Sequence, residues 1–322
     1  MRNKTKSLSL TYHKFVKNHN LLIILILFMI ICSLANEHFL TQQNLINVTR
    51  QQSIVIMVAL GQMMLISAGM LDLSAGAVVA LAGVISIGVF KATESMFLAI
   101  VIALVVAVGI NSISGIMVTV FKVPAFIATL AMQMVARGGA LLYTGGQNLV
   151  QIGDYARIGQ GDVNGIPIPV LIMVGFSILM FIIMRYTKFG RSIYAVGGNI
   201  EASLASGIKV NSVRLRAYML HGVLVGVAAV VFMSRLNSGM PNGAQGLEFD
   251  ALTAAIVGGT SFSGGVGTVR GTIIGAFLIG FMNNIMNILT IDSYIQQMVR
   301  GGIIAAAVIW DINSTMKANK KV

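Results

Sequence analysis

Residues 186 to 218 read YTKFGRSIYAVGGNIEASLASGIKVNSVRLRAY, the longest stretch of this chain without an apolar run long enough to cross a bilayer. The rest of the chain is very apolar. Of its 322 residues, 56% are hydrophobic and only 10% are charged, and the mean hydropathy is +0.86. Because roughly a quarter of the residues in a soluble domain are charged, this composition indicates a polytopic membrane protein.

Apolar runs separated by short polar segments predict an all-α protein with about ten transmembrane helices. Each run approaches the roughly 17 to 25 residues that a helix needs to cross hydrocarbon. Together they predict one transmembrane domain, 21–311, interrupted by the polar segment 185–216 and flanked by an N-terminal tail, 1–20, and a basic C-terminal tail, 312–322. The runs are 21–36, 54–70, 73–90, 96–120, 124–144, 165–184, 217–234, 251–268, 271–290 and 294–311.

The distribution of Lys and Arg predicts the orientation. Most of the 22 basic residues fall before the first run, between the sixth and seventh runs, and at the C-terminal end. Since basic loops stay in the cytoplasm, both termini and segment 185–216 are predicted to be cytoplasmic. The net charge of +12 therefore reflects orientation and does not indicate nucleic-acid binding. The single cysteine, Cys32, excludes a disulfide framework and lies in a first helix that we expect to remain uncleaved.

Within segment 185–216, a short helix is predicted over 200–206. Asn199 is a good N-cap, Glu201 lies in the first turn, and Gly207 is placed to end the helix. Ile200 and Leu204 would share one face. Two turns are too few for stability in water, so either the lipid headgroups or a cytoplasmic partner must support the helix.

Asp72 is interpreted as part of a helix break between the second and third runs, together with Ser74 and Gly76. A carboxylate in an apolar region is either a proton-coupling acid, as in a secondary carrier, or an N-cap for the third helix near the cytoplasmic surface. The histidines, at positions 13, 19, 38 and 221, show no metal-ligand spacing with a carboxylate, and no second buried acid or histidine is expected beside Asp72. These observations favour the cap and predict neither a metal site nor an enzyme.

The glycine-rich block GGTSFSGGVGT, 258–268, lacks the lysine of a phosphate-binding loop. No ATP site or other cofactor is therefore expected on this chain. Three glycines recur every four positions from 267, an arrangement that lets membrane helices approach closely. The glycines predicted to serve helix packing are Gly258, Gly259, Gly264, Gly265, Gly267, Gly271 and Gly275.

Uncharged amides within the apolar runs are candidates for a translocation path, because a neutral polyol needs hydrogen-bonding groups without full charges. Each amide could equally serve a hydrogen bond between helices. Arg137 and Arg300 interrupt two runs and are expected either to pair or to extend toward the interface. The candidate path amides are Gln62, Asn111, Gln133, Asn283, Asn284 and Asn287.

Two breaks, 69–76 and 258–271, occupy comparable places in spans 2–5 and 7–10. This correspondence predicts an inverted repeat around a central path.

Four segments resemble the permease subunits of bacterial sugar ABC importers of the ribose and galactose type, and the resemblance covers about residues 45 to 310. The first, GRSIYAVGGNIEASLASGIKVNSVRLRAYMLHG, is similar to the cytoplasmic coupling segment of that family, with departures at Ser203 and Leu204. The other three are AGMLDLSAGAVVALAG (68–83), KVPAFIATLAMQMVARGGALLYTGG (122–146) and FDALTAAIVGGTSFSGGVGTVRGTIIGAFLIGFMNNIMNIL (249–289).

The resemblance implies a subunit of an importer in the bacterial plasma (inner) membrane. A cytoplasmic ATPase would bind ATP and Mg, an extracytoplasmic protein would bind the sugar, and a second permease copy, identical or similar, would complete the pore. Ribose or another monosaccharide is the expected cargo. The alternatives are a nucleoside or furanose-like signal molecule, or an ion-coupled carrier that uses Asp72. The ATPase-coupling helix would comprise Asn199, Ile200, Glu201, Ala202, Ser203, Leu204, Ala205, Ser206 and Gly207.

Overall fold

A computed structural model describes residues 20–319. The predicted tail 1–20 lies outside the described residues except for residue 20, and so do the last three residues of the predicted tail 312–322. The elements are α1 (Asn20–Ala35), α2 (Gln42–Ser67), α3 (Ala75–Thr93), α4 (Met96–Thr119), α5 (Ala125–Thr144), a 3-10 turn (Gly153–Ala156), α6 (Arg157–Gln160), β1 (Asp162–Val163), β2 (Ile166–Pro167), α7 (Ile168–Tyr186), α8 (Lys188–Gly198), α9 (Ile200–Ala205), α10 (Val210–Leu236), α11 (Leu247–Val257), α12 (Val269–Ile288) and α13 (Ser293–Asn319). β1 and β2 form a minimal antiparallel hairpin.

The all-α membrane class is confirmed. By length and apolar composition, six helices within residues 20–319 are able to cross a membrane: α3, α4, α5, α7, α10 and α12. Their burial separates centre from periphery, because 72% of the most apolar window of α10 and 67% of that of α3 are buried, against 22% for α4 and α7. Helix α2 is buried without interruption from Gln52 to Ser67. The core therefore forms around α2, α3 and α10, while α4 and α7 present apolar side chains outward.

The predicted run 251–268 is wrong as a single helix. Helix α11 ends at Val257, and residues 258–268 are irregular, since Gly259, Gly264 and Gly265 adopt positive φ values of 88°, 86° and 75°. With 11 residues, α11 is only about 16 Å long, roughly half the thickness of the hydrocarbon. The irregular residues fall within the break predicted at 258–271, so the break and not the continuous run describes this segment.

The chain between α10 and α11, residues 237–246, is also irregular and leads toward the middle of the bundle. At its start, Gly239 and Leu149 form an isolated backbone bridge. At its end, Ala244 lies so close to Gly76, in the first turn of α3, that a Cβ at Gly76 would overlap its carbonyl oxygen. This segment therefore supplies the length that α11 lacks.

The two predicted breaks do not correspond to each other as members of an inverted repeat. The N–H of Gly265 donates to the carbonyl oxygen of Ser67 at 3.0 Å, so the break after α2 and the break after α11 lie at the same end of the bundle. An inverted repeat would place equivalent breaks at opposite ends. The pairing inferred from the sequence is therefore wrong.

Candidate functional site

The polar segment after α7 folds into two short helices whose ends are determined locally. The Thr187 hydroxyl accepts a hydrogen bond from Gly190 N–H at 3.0 Å and caps α8. Asn199 Oδ1 accepts one from Ala202 N–H at 2.9 Å and caps α9. At the other end of α9, Gly207 has φ +77°, and its N–H donates to the Leu204 carbonyl at 2.9 Å. The caps lie where the sequence pattern places them.

Helix α9 presents an apolar face to solvent. The side chains of Ile200 and Leu204 are 41% and 57% exposed, whereas Ser203, on the other side, is buried. Ile200 and Leu204 border a cavity of about 580 Å³, whose rim carries the basic side chains of Lys122, Lys209 and Arg214. An exposed apolar pair on a two-turn helix, beside a basic cavity, is a surface suited to a protein partner.

Backbone-to-backbone packing ties α8 to the bundle. A Cβ at Gly197 would overlap the carbonyl oxygen of Ser67, at the end of α2, and Gly264 lies directly against the carbonyl of Gly197. The Tyr194 hydroxyl donates to the Gly267 carbonyl at 2.9 Å, and burial raises the pKa of this phenol. Helix α8 therefore packs on a seat formed by the end of α2 and loop 258–268, and helix α9 follows α8 directly.

The Asp72 carboxylate lies at the centre of a buried polar cluster. Its Oδ1 accepts hydrogen bonds from Ser74 N–H and Ser74 Oγ at 2.7 and 2.6 Å. Its Oδ2 lies 3.0 Å from Nε2 of His221 on α10, and both side chains are fully buried. The expectation that no histidine accompanies Asp72 is therefore wrong.

Two further side chains hold the backbone around Asp72. The Gln62 amide bonds the N–H and the carbonyl of Asp72, the first at 3.1 Å. The Tyr218 hydroxyl donates to the Leu71 carbonyl at 3.0 Å. Gln62, a candidate path residue on α2, thus bonds the backbone of the helix break. Tyr218 and His221, one turn apart in an apolar run, were the signal for this cluster that sequence reasoning passed over.

A second polar region, open to the surface, lies between α5 and α11. Gln133, Arg137, Gln245 and Glu248 line a cavity of about 490 Å³. Arg137 Nη1 donates to the carbonyls of Pro241 and Gly243 at 2.6 and 2.9 Å, which gives this arginine a definite role in holding segment 237–246. Glu248 is 3% exposed. Asp72 is therefore not the only carboxylate deep in the bundle.

Another cavity, of about 240 Å³, is bordered by Leu247, Asn283 and Arg300. Arg300 pairs with Asp250 at 3.7 Å. Asn283 is 7% exposed, and its buried Oδ1 has no hydrogen-bond partner within the described residues. Gln245 borders both cavities. Gln133 and Asn283 are thus the two candidate path amides that face open space.

The other three candidates make contacts within or between helices. Asn284 and Asn44 exchange two amide hydrogen bonds of 2.7 and 2.9 Å between α12 and α2. Asn287 Oδ1 accepts from the Gln296 amide at 2.9 Å. Asn111, fully buried, donates to the Ala107 carbonyl of its own helix at 3.0 Å.

The glycines of α11 and α12 bring these helices into close contact. A Cβ at Gly271 would overlap the Gly258 carbonyl oxygen, and one at Gly275 would overlap that of Ala254. Gly267 lies against the Ser67 hydroxyl at the end of α2. Gly259 faces open space, and its role is conformational because its φ is +88°.

A multi-pass helical bundle with a broken-helix centre and polar cavities defines the class of a membrane transport protein. The chain belongs to the family described as branched-chain amino acid transport system / permease component, whose pattern matches residues 44–308. It is a multi-pass protein of the inner membrane.

Curated relatives cover nearly the whole chain. It is 37% identical to the ribose import permease protein RbsC of Haemophilus influenzae, over 97% of each chain. It is 38% identical to RbsC of Bacillus subtilis, over 89% of this chain and 90% of that one. Identity to the D-allose transport system permease protein AlsC of Escherichia coli is 34%, over 90% of this chain and 89% of that one. No solved structure matches this chain.

Proposed function

We propose that this chain is the transmembrane permease subunit of an ABC importer that moves a small sugar, ribose or another monosaccharide, into the cytoplasm. ATP hydrolysis on a separate ATPase subunit drives the transport. The observation that carries the proposal is similarity along almost the full length to permeases named for ribose and D-allose, at 34 to 38% identity. The family description names branched-chain amino acids, so the choice of cargo rests on these relatives.

The geometry of α9 supports an ATP-driven mechanism. Its exposed Ile200 and Leu204 offer a docking face, and the glycine contacts of α8 connect that face to the end of α2 and to loop 258–268. Movement of a docked ATPase would thereby reach the buried cluster around Asp72. ATP and Mg would reside on that partner.

The polar cavity beside α5 supports a neutral cargo. Gln133 and Gln245 provide uncharged donors and acceptors there, while the side chains of Arg137 and Glu248 lie within the same wall. The exposed side chains of α5 include Met134, which is 71% exposed, and Val135, which is 57% exposed. A second copy of the chain facing α5, identical or similar, would close this open cavity into a path.

The positions of the helix ends support ten membrane crossings. Both termini, α8 and α9 would then lie on the cytoplasmic side. The crossings would be α1, α2, α3, α4, α5, α7, α10, residues 237–257, α12 and α13. Lys122, just after α4, bonds Asn211 at the start of α10 at 3.1 Å, and Asp311, in the C-terminal half of α13, accepts from Phe262 N–H at 2.7 Å. Both contacts join ends assigned to the cytoplasmic side.

This topology suggests a different inverted repeat. The break after α2, 68–74, would correspond to segment 237–246 after α10. In this topology the two breaks begin at opposite sides of the membrane, as an inverted repeat requires. The opposite, extracytoplasmic end would receive the sugar-binding protein.

Reconstitution into proteoliposomes tests the proposal. Proteoliposomes that contain the chain, its ATPase and its sugar-binding protein should take up sugar only when ATP is present on the side of the membrane that carries the ATPase. A proton or sodium ionophore should not alter the rate. Thermal stabilisation of the binding protein by a panel of sugars and nucleosides identifies the cargo. Uptake that continues without the ATPase and collapses with an ionophore would instead establish an ion-coupled carrier.

A further inference from the structure

The C-terminal end of α7, the start of α8 and the first turn of α12 enclose a cavity of about 660 Å³. Three arginines border it: Arg185 from α7, Arg191 from α8 and Arg270 from α12. Within the described residues, none of the three guanidinium groups lies within 4 Å of a carboxylate oxygen. Residues 1–19 contain no Asp or Glu that could neutralise them. Among the described residues, the cavity therefore concentrates positive charge without a paired carboxylate.

The apolar surroundings place this charge at a membrane boundary. Phe181 and Met184 border the same cavity, and the Arg270 guanidinium lies 5.6 Å from the centre of the Phe181 ring. One turn earlier in α7, Ile178 and Ile182 are 56% and 46% exposed. An apolar outer helix face thus leads directly into the arginine cavity. This is the arrangement that a lipid needs, with its acyl chain on α7 and its headgroup among the arginines.

We infer that this cavity binds the phosphate of an anionic phospholipid from the cytoplasmic leaflet. Guanidinium groups recognise phosphate oxygens through paired hydrogen bonds, and the first turn of α12, capped by Thr268, adds a favourable helix dipole. A lipid is favoured over free phosphate because the exposed face of α7 continues the cavity. The inference uses the orientation proposed above but no feature of sugar transport.

The bound headgroup would stabilise the coupling segment. Tyr194 borders the cavity and bonds the Gly267 carbonyl, so the same wall holds α8 against loop 258–268. A lipid phosphate that joins Arg191 of α8 to Arg270 of α12 would add a second connection across this contact.

Native mass spectrometry of the purified chain with phosphatidylglycerol or phosphatidylcholine tests the site. The wild type should bind phosphatidylglycerol in preference to phosphatidylcholine, and the triple variant Arg185→Gln/Arg191→Gln/Arg270→Gln should bind it about tenfold or more weakly. The matched control Lys188→Gln/Lys209→Gln/Arg216→Gln removes the same charge from exposed positions of the same segment and should retain binding.

Two further measurements keep the test decisive. Phosphatidylglycerol should raise the melting temperature of the wild type more than phosphatidylcholine does, which needs no variant. Equal loss of binding in both triple variants, or no preference between the two lipids, would overturn the site. Displacement of the lipid by millimolar inorganic phosphate would show that the cavity takes free phosphate instead. None of these readouts requires transport, so failure here leaves the proposed function intact.

Discussion

Asp72 on the break after α2 lies 3.0 Å from His221 on α10, in a contact that joins positions 149 residues apart within a fully buried cluster. The carboxylate also accepts two hydrogen bonds from Ser74, so all of its contacts hold the chain where α3 begins. A proton-coupling acid needs access to water at some stage of transport. The burial and the contacts of Asp72 favour a structural role.

Asp72→Asn should therefore lower the amount of folded protein more than it alters uptake per folded molecule. The amide retains one acceptor for Ser74 but loses the charge-assisted contact with His221, at a cost of about 1 to 3 kcal/mol. The measurements are the monodisperse fraction in size-exclusion chromatography and uptake normalised to it. Gly61→Ala is an independent check, since its Cβ would overlap Nδ1 of His221 and displace the imidazole while leaving the carboxylate intact. Normal folding of Asp72→Asn with abolished transport would assign the carboxylate to the mechanism.

Gly197 and Gly198 are adjacent glycines that provide a matched pair of substitutions to test how α8 packs on its seat. Gly197→Ala would push a methyl group into the Ser67 carbonyl, whereas a Cβ at Gly198 meets nothing within 4 Å. We expect Gly197→Ala to destabilise the protein by about 1 to 3 kcal/mol and to weaken coupling to ATP hydrolysis. Gly198→Ala should behave like the wild type. The melting temperature and the sugar-stimulated ATPase activity of the complex measure the two effects. Equal values for the two variants would show that the contact between Gly197 and Ser67 accommodates a methyl group.

The sequence predicts local features of this site well and distant ones poorly. The ends of α9 depend on Asn199 and Gly207, whose capping chemistry is complete within a few residues, so they could be located from the pattern. The partnership of Asp72 with His221 depends on how α10 crosses α2, and no spacing along the chain encodes that crossing. Metal-ligand spacing was consequently the wrong search for His221.

The same distinction explains the errors in the fold. Run 251–268 is apolar enough to resemble one helix, but the break predicted at 258–271 divides it, with positive φ values at Gly259, Gly264 and Gly265. The equivalence of the two breaks was inferred from their order in the chain, whereas the contact between Ser67 and Gly265 depends on the direction of each helix. Composition identifies which residues enter the membrane, but helix direction and backbone conformation decide where they meet.

The asparagine pair between α2 and α12 should contribute to stability and not to transport. Asn284→Leu removes one partner and leaves the Asn44 amide without its reciprocal contact, whereas Asn44→Leu/Asn284→Leu removes both. We expect the single variant to be the less stable of the two, with a coupling energy on the order of 0.6 kcal/mol. A double-mutant cycle of melting temperatures measures the coupling. Folded Asn284→Leu that transports no sugar would return this residue to the path.

Gln133 should show the opposite behaviour. Its side chain is half-buried and borders the open cavity beside α5, with one long contact of 3.4 Å to Glu248. Gln133→Leu should therefore fold normally but lower the rate of sugar uptake, because the path loses a hydrogen-bonding group. Uptake kinetics at equal amounts of assembled complex measure this. An unchanged rate would exclude Gln133 from contact with the cargo.

The exposed face of α9 provides the test of partner docking. If Ile200 and Leu204 enter a groove on the ATPase, then a charge on the same face should detach it, as in Leu204→Asp or Ala205→Glu. Burial of an unpaired charge costs a few kcal/mol, enough to weaken association by about a hundredfold. The permease itself should remain folded because Leu204, 57% exposed, makes little contact with the bundle.

Co-purification of the ATPase with the tagged permease distinguishes docking from a simple surface helix. Leu204→Met is the matched control, since it keeps an apolar side chain of similar volume and should retain the ATPase. A size-exclusion profile of each permease variant separates loss of the partner from loss of the fold. Full retention of the ATPase by both charged variants would mean that lipid headgroups, and not a cytoplasmic partner, support α9. Loss of the ATPase in the charged variants alone would instead identify the end of the molecule at which ATP hydrolysis acts. Helix α9 directly follows α8, whose Gly197 packs against the end of α2, so movement of a docked partner would reach the bundle there.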